Sequence, residues 1–150
     1  MSHYRRVLAA IDVSEEGRQV VEAAAAIAGA FDAKLHIMHV VEPASLAYGP
    51  VMHADLHTLE TGQMRRHAET RLAELANEFG VAGEHVHVLT GRTISEIHDV
   101  AEAESADLVV VGSHGRHGLG LLLGSTANGV LHGAKRDVLA VRVHPPATGQ

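Results

Sequence analysis

The 150-residue chain contains no cysteine. That removes thiol nucleophiles, disulfides and cysteine-based zinc sites together. Tryptophan is also absent, and two Tyr and two Phe complete the aromatic set. A stacking platform for single-stranded nucleic acid therefore lacks its parts. Basic residues are in the minority: 12 Lys and Arg stand against 18 Asp and Glu, a formal net charge of −6. Binders of bulk nucleic acid or anionic membrane normally carry a basic face, so neither is an expected partner. No apolar run approaches the length of a membrane span. After Arg5 and Arg6, the stretch Val7–Ile11 is interrupted by Asp12, too soon for a signal-peptide core. The expected location is the cytoplasm, and any anionic ligand must be held by local geometry.

What is present is a regular alternation. Five short β-branched runs, Val7–Ile11, Leu35–Val41, Val86–Leu89, Leu108–Val111 and Val138–Val143, are bounded by Gly, Asp or Pro and read as strands. Helically spaced apolar stripes lie between them. Val20, Ala24, Ile27, Ala28 and Phe31 make the first, and Met64, Ala68, Leu72, Leu75 and Phe79 a longer second. Ile94, Ile97 and Ala101 make the third, with Thr93 and Glu96 spaced as a capping box. The fourth is Ala127, Val130, Leu131 and Ala134, with Ser125 available as N-cap. The order βαβαβαβαβ predicts one α/β domain over residues 1–150, a doubly wound parallel sheet with helices on both faces. The continuously apolar first and fourth strands belong at its centre, and the third, with alternating His85 and His87, nearer an edge. A long connection from Glu42 to about Thr58 reads as a binding loop or lid, and the tail 144–150 as flexible.

In such a sheet, ligands bind beyond the carboxyl ends of the strands, where the strand order reverses. Asp12 stands at that end of the first strand. After the fourth comes the stretch from Gly112 to Gly124, with five glycines in thirteen residues. Glycines let backbone amides approach and surround an anion. Gly124, Ser125 and Thr126 add helix-start amides and two hydroxyls, and Arg116 a guanidinium suited to phosphate. The same glycines would also serve a plain tight turn. Asp12 would serve equally as an acceptor for a base or ribose and as a turn carboxylate ahead of Ser14. No G-x-x-x-x-G-K-[ST] occurs, and no G-x-G-x-x-G follows the first strand.

Gly112-x-x-Gly115 followed by Gly124-Ser125, after Asp107-Leu-Val-Val-Val, resembles the universal stress protein family. Val7-Leu-Ala-Ala-Ile-Asp12-Val-Ser14, His39-Val40 and Asp137-Val-Leu-Ala-Val-Arg142 extend the likeness to residues 4–143. The resemblance implies a five-stranded sheet ordered 3-2-1-4-5. It also implies binding of ATP or a related adenine nucleotide, with Mg²⁺ as an accompanying ion. Asp12 and Val40 would contact adenosine, and Gly112, Gly115, Gly124 and Ser125 the ribose and phosphates, with Val111, Arg116 and Thr126 beside them. A homodimer through Val138–Val143 is implied as well. One departure stands out: eight residues, Arg116 to Leu123, separate the second and third glycines, one fewer than in the family's ATP-binding pattern. One extended residue spans ~3.3–3.6 Å, a gap that the flexible Gly118 and Gly120 would have to absorb.

Thirteen histidines raise the question of metal binding. His85 and His87 share a strand face, whereas His36 and His39 fall on opposite faces. The spacing supplies no third converging ligand, so the expectation is no metal site. None of Ser14, Ser113 and Ser125 sits in G-x-S-x-G, and Asp12 is the only acid placed near the glycine stretch. The chain therefore reads as a dimeric stress-response protein that binds nucleotide. A non-nucleotide scaffold and a slow ATPase are the alternatives.

Overall fold

The computed structural model describes residues 3–43, 54–113 and 124–144, with backbone alone for 54–57. Its elements run β1 (Arg6–Ala10), α1 (Glu15–Phe31), β2 (Lys34–Val41), α2 (Ala54–Phe79), a 3-10 turn (Gly83–His85), β3 (Val86–Thr90), α3 (Thr93–Ala103), β4 (Leu108–Gly112), α4 (Ser125–Leu131) and β5 (Asp137–Val141). All strand pairs are parallel, and the sheet is ordered β3-β2-β1-β4-β5. This is the predicted architecture. β1 lies at the centre and is buried from Val7 onward, while every residue of β3 is half-buried or exposed, as an edge strand allows.

Alternation along the strands builds two cores. Val7, Ala9, Ile11 and Ile37 face α1 and α2, meeting Val20, Ala24, Leu72 and Leu75. Leu8, Ala10, Met38 and Val40 face α3 and α4, meeting Ile97, Val100, Ala127 and Val130. Leu8, Ile37 and Met38 are fully enclosed; burial of this kind stabilises by about 1.5–3 kcal/mol per side chain.

Four details depart from the expected pattern. α2 begins at Ala54, ahead of the end expected for the long connection, and its stripe is effective only from Ala68, because Met64 is exposed. Thr93 forms no capping box: Arg92 is the N-cap of α3, and the amide and hydroxyl of Thr93 donate to Glu42 Oε1 at 2.9 and 2.7 Å. A carboxylate carried by the neighbouring strand end thus replaces a local one. α4 takes Gly124, not Ser125, as its N-cap and stops at Leu131, which is exposed. β5 ends at Val141, and Val143 turns back into the α1 core with only 2% of its surface exposed. His144 is tied down there, its amide donating to Gln19 Oε1 and its carbonyl accepting from Gln19 Nε2. The flexible tail expected from residue 144 therefore excludes His144, and 145–150 lie outside the described residues.

Candidate functional site

The chain leaves β1 toward β2 and leaves β4 toward β5, yet β1 and β4 are neighbours. Their onward connections diverge, the arrangement that in open α/β sheets forms a ligand crevice at the carboxyl ends of the strands. Asp12 stands at that rim, one residue beyond buried Ile11, and is exposed. Its Oδ1 accepts from the Ser14 amide at 3.0 Å and from the Ser14 hydroxyl. Ser14 in turn is the N-cap of α1, its Oγ accepting from the Glu16 amide. One carboxylate oxygen thus serves the turn, while Oδ2 makes no hydrogen bond among the described residues. The two readings of Asp12 are compatible, because they use different oxygens.

Two neighbours hold this corner: Gly17, to which no sequence motif points, and His39, part of the family resemblance but with no role read from it. Gly17 is buried in the first turn of α1, where an added Cβ would lie 2.1 Å from the Asp12 carbonyl oxygen. Only a residue without a side chain lets the helix come so close. A glycine inside a helix at a cost of about 1 kcal/mol is the available hint. His39 donates from Nδ1 to the Ile11 carbonyl at 2.6 Å, fastening the end of β2 to the end of β1. Val40 follows, buried in β2 on the α3 side.

Across the crevice, Val111 is fully buried and Gly112 ends β4, half-exposed. The Gly124 amide donates to the Ser113 carbonyl, so the two ends of the glycine stretch meet at its base. Ser125 and Thr126 open α4 immediately after. The Ser113 hydroxyl is buried and has no hydrogen-bond partner among the described residues. Gly115 and Arg116 lie outside the described residues. The fold thus brings Asp12, Val40, Val111, Gly112, Gly124, Ser125 and Thr126 to the same end of adjacent strands. A groove of about 670 Å³ lies elsewhere, between α2 and the outer edge of β3, lined by residues that include Arg65, Glu69, Asn77 and Val88.

The family model described as "Universal stress protein family" matches residues 3–142. The chain belongs to this family. Among its relatives, universal stress protein A homolog 1 of Coxiella burnetii is 40% identical over 139 residues, covering 93% of this chain and 96% of the relative. Among solved structures, the universal stress protein UspA from Lactobacillus plantarum shares the fold. Its TM-score is 0.82 at 21% identity, over 95% of this chain and 100% of that one. A universal stress protein in complex with cAMP has a TM-score of 0.60 at 27% identity, over 92% and 96% of the two chains.

At the opposite end of the sheet, this universal stress protein departs from the expectation that no third metal ligand converges on its histidines. His36 of β2 is buried, and its Nδ1 lies 3.0 Å from His87 Nε2 and 3.9 Å from Glu104 Oε2. The His85 ring packs on His36 with centroids 4.1 Å apart. Burial pushes His36 down to about 4, helped by the charges of His85, His87 and Arg6 and opposed by Glu104. His87 is lowered as well, again mainly by burial. His36 and His39 do point to opposite faces, as their spacing predicts, but the partner of His36 comes from another strand.

Proposed function

We propose that this universal stress protein binds ATP or a related adenine nucleotide in the β1/β4 crevice and works as a dimeric regulatory binding protein. The observation that supports the reading is that β1 and β4, whose carboxyl ends lead into Asp12 and Gly112, are neighbours at the point where the strand order reverses. Asp12 Oδ2, which makes no hydrogen bond among the described residues, suits a ribose hydroxyl or a base amine, with Val40 and Val111 as apolar neighbours. Gly112, Gly115, Gly124, Ser125 and Thr126 would supply amides and hydroxyls to the phosphates, and Arg116 a charge. The Ser113 hydroxyl, buried and without a hydrogen-bond partner among the described residues, fits a polar occupant at the strand end. A relative in complex with cAMP supports an adenine nucleotide as the ligand class. Mg²⁺ would arrive with the triphosphate. The regulatory reading places no catalytic residue in the site.

The dimer would form along β5, an edge strand whose Asp137, Leu139 and Ala140 are exposed. Val143 is already used in its own core, so the usable edge is Asp137–Val141 instead of the full stretch to Val143.

The test is thermal stability with and without ATP–Mg²⁺ for the native chain and for Gly115→Asp, which adds bulk and negative charge where phosphate would lie. A ligand at 100 times its Kd stabilises by about 2.7 kcal/mol. The native chain should show such a rise and Gly115→Asp should lose it. An equal rise in both would remove the glycine stretch from the site. No rise with any nucleotide would favour the scaffold alternative, and Mg²⁺-dependent turnover lost in Asp12→Ala would favour the ATPase one.

A further inference from the structure

We propose that His36, His87 and Glu104 form a binding site for a divalent first-row transition metal, separate from the nucleotide crevice. Each of the three offers one ligand atom, and these atoms lie within 4.8 Å of one another. Four-coordinate zinc with bonds of about 2.0–2.1 Å needs neighbouring donors about 3.3–3.4 Å apart. The separations of 3.0 Å from His36 to His87 and 3.9 Å from His36 to Glu104 bracket that value. Two imidazole nitrogens and one carboxylate are a donor set suited to zinc and to other first-row ions of similar preference.

The fold explains why these three meet. Met38 pairs with His87 across β2 and β3, so His36 and His87 are close diagonal neighbours on the α3 face. α3 packs on that face, and its C-cap is Glu104, which the positive φ of Ser105 and the bond from the Glu104 amide to the Val100 carbonyl hold in place. The His85 ring packs on His36, tilted by 30° with centroids 4.1 Å apart. The Glu104 side chain is 37% exposed, so it has room to swing inward and leaves an entry path for the ion. Three protein donors also leave a fourth position open for water or an external ligand. The cluster sits at the amino ends of β2 and β3, whereas the nucleotide crevice sits at the carboxyl ends of β1 and β4. The two sites are therefore spatially separate.

The test uses the full chain after treatment with a chelator and dialysis. Zn²⁺ is titrated by calorimetry, and Co²⁺ by the visible absorption of a four-coordinate ion. One equivalent of each should bind well above the weak background of surface histidines. Glu104→Gln and His87→Gln should each weaken that event by at least about tenfold, since even groups outside the ligand set commonly cost 10–100-fold. Glu104 is partly exposed, so its variant keeps the test open if His87→Gln folds poorly; circular dichroism of the metal-free variants checks this. Gly115→Asp should bind the metal normally. Absence of a one-equivalent event, or undiminished binding by Glu104→Gln, would overturn the proposal.

Discussion

Gly17 is retained in a helix although alanine there would improve helix propensity by about 1 kcal/mol. Its reason is the Asp12 carbonyl, 2.1 Å from where a Cβ would stand. Gly17→Ala should therefore destabilise by about 1–3 kcal/mol, the usual cost of overpacking, read as a lower urea midpoint. A midpoint raised by helix propensity would show that the approach is not so close. Glu42 is a second residue whose role is non-local. The Thr93 hydroxyl, and then the Thr93 amide, hold its carboxyl below the ordinary value of 4.5. The unfolded chain then takes up the proton more readily than the folded one. The contribution of Glu42 to stability is full above about pH 4.5 and is lost as the pH falls through the lowered folded value. Glu42→Gln should cost about 1 kcal/mol at pH 7, like loss of a helix cap, and less at pH 4. Urea midpoints at the two pH values check this, and a cost independent of pH would contradict it. Asp12 is legible from its place after a strand. Gly17 and Glu42 are not, because each answers to an atom in another element.

Apolar periodicity makes the elements themselves legible. The five runs become the five strands, with ends shifted by no more than two residues. What periodicity does not carry is how an element ends. Val143 continues the alternation of β5 in sequence, yet it folds back onto α1 because Gln19 accepts from and donates to His144. The two sheet edges are also treated differently. Arg65 of α2 guards β3, donating to the Val88 carbonyl at 3.0 Å and to Thr90 Oγ1 at 3.1 Å. β5 keeps Leu139 exposed. Edges left in this state invite pairing. If the chain pairs along β5 as proposed, Leu139→Arg should give a folded monomer where the native chain is a dimer, measured by light scattering after size exclusion with circular dichroism unchanged. A native chain that is already monomeric would contradict the β5 interface.

For the whole molecule, strand alternation fixes the class, and the resemblance carried by the Asp12 and Gly112 patterns anticipates the order β3-β2-β1-β4-β5. That order gathers Asp12, Val40, Val111 and Gly112 at one end. The histidine cluster at the other end is invisible to spacing within one strand, because it depends on the register between β2 and β3 and on where α3 stops. No helix among the described residues is long and apolar enough to cross a membrane. At this scale the crevice between β1 and β4 is the proposed seat of an adenine nucleotide. Its most direct test is mass spectrometry, with ultraviolet absorption at about 260 nm, of whatever the freshly purified protein releases on denaturation. Without Trp and with two Tyr, the chain adds little absorption of its own. An adenine nucleotide approaching one per chain is expected. A protein that releases none, and that added ATP–Mg²⁺ fails to stabilise against heat, would contradict it.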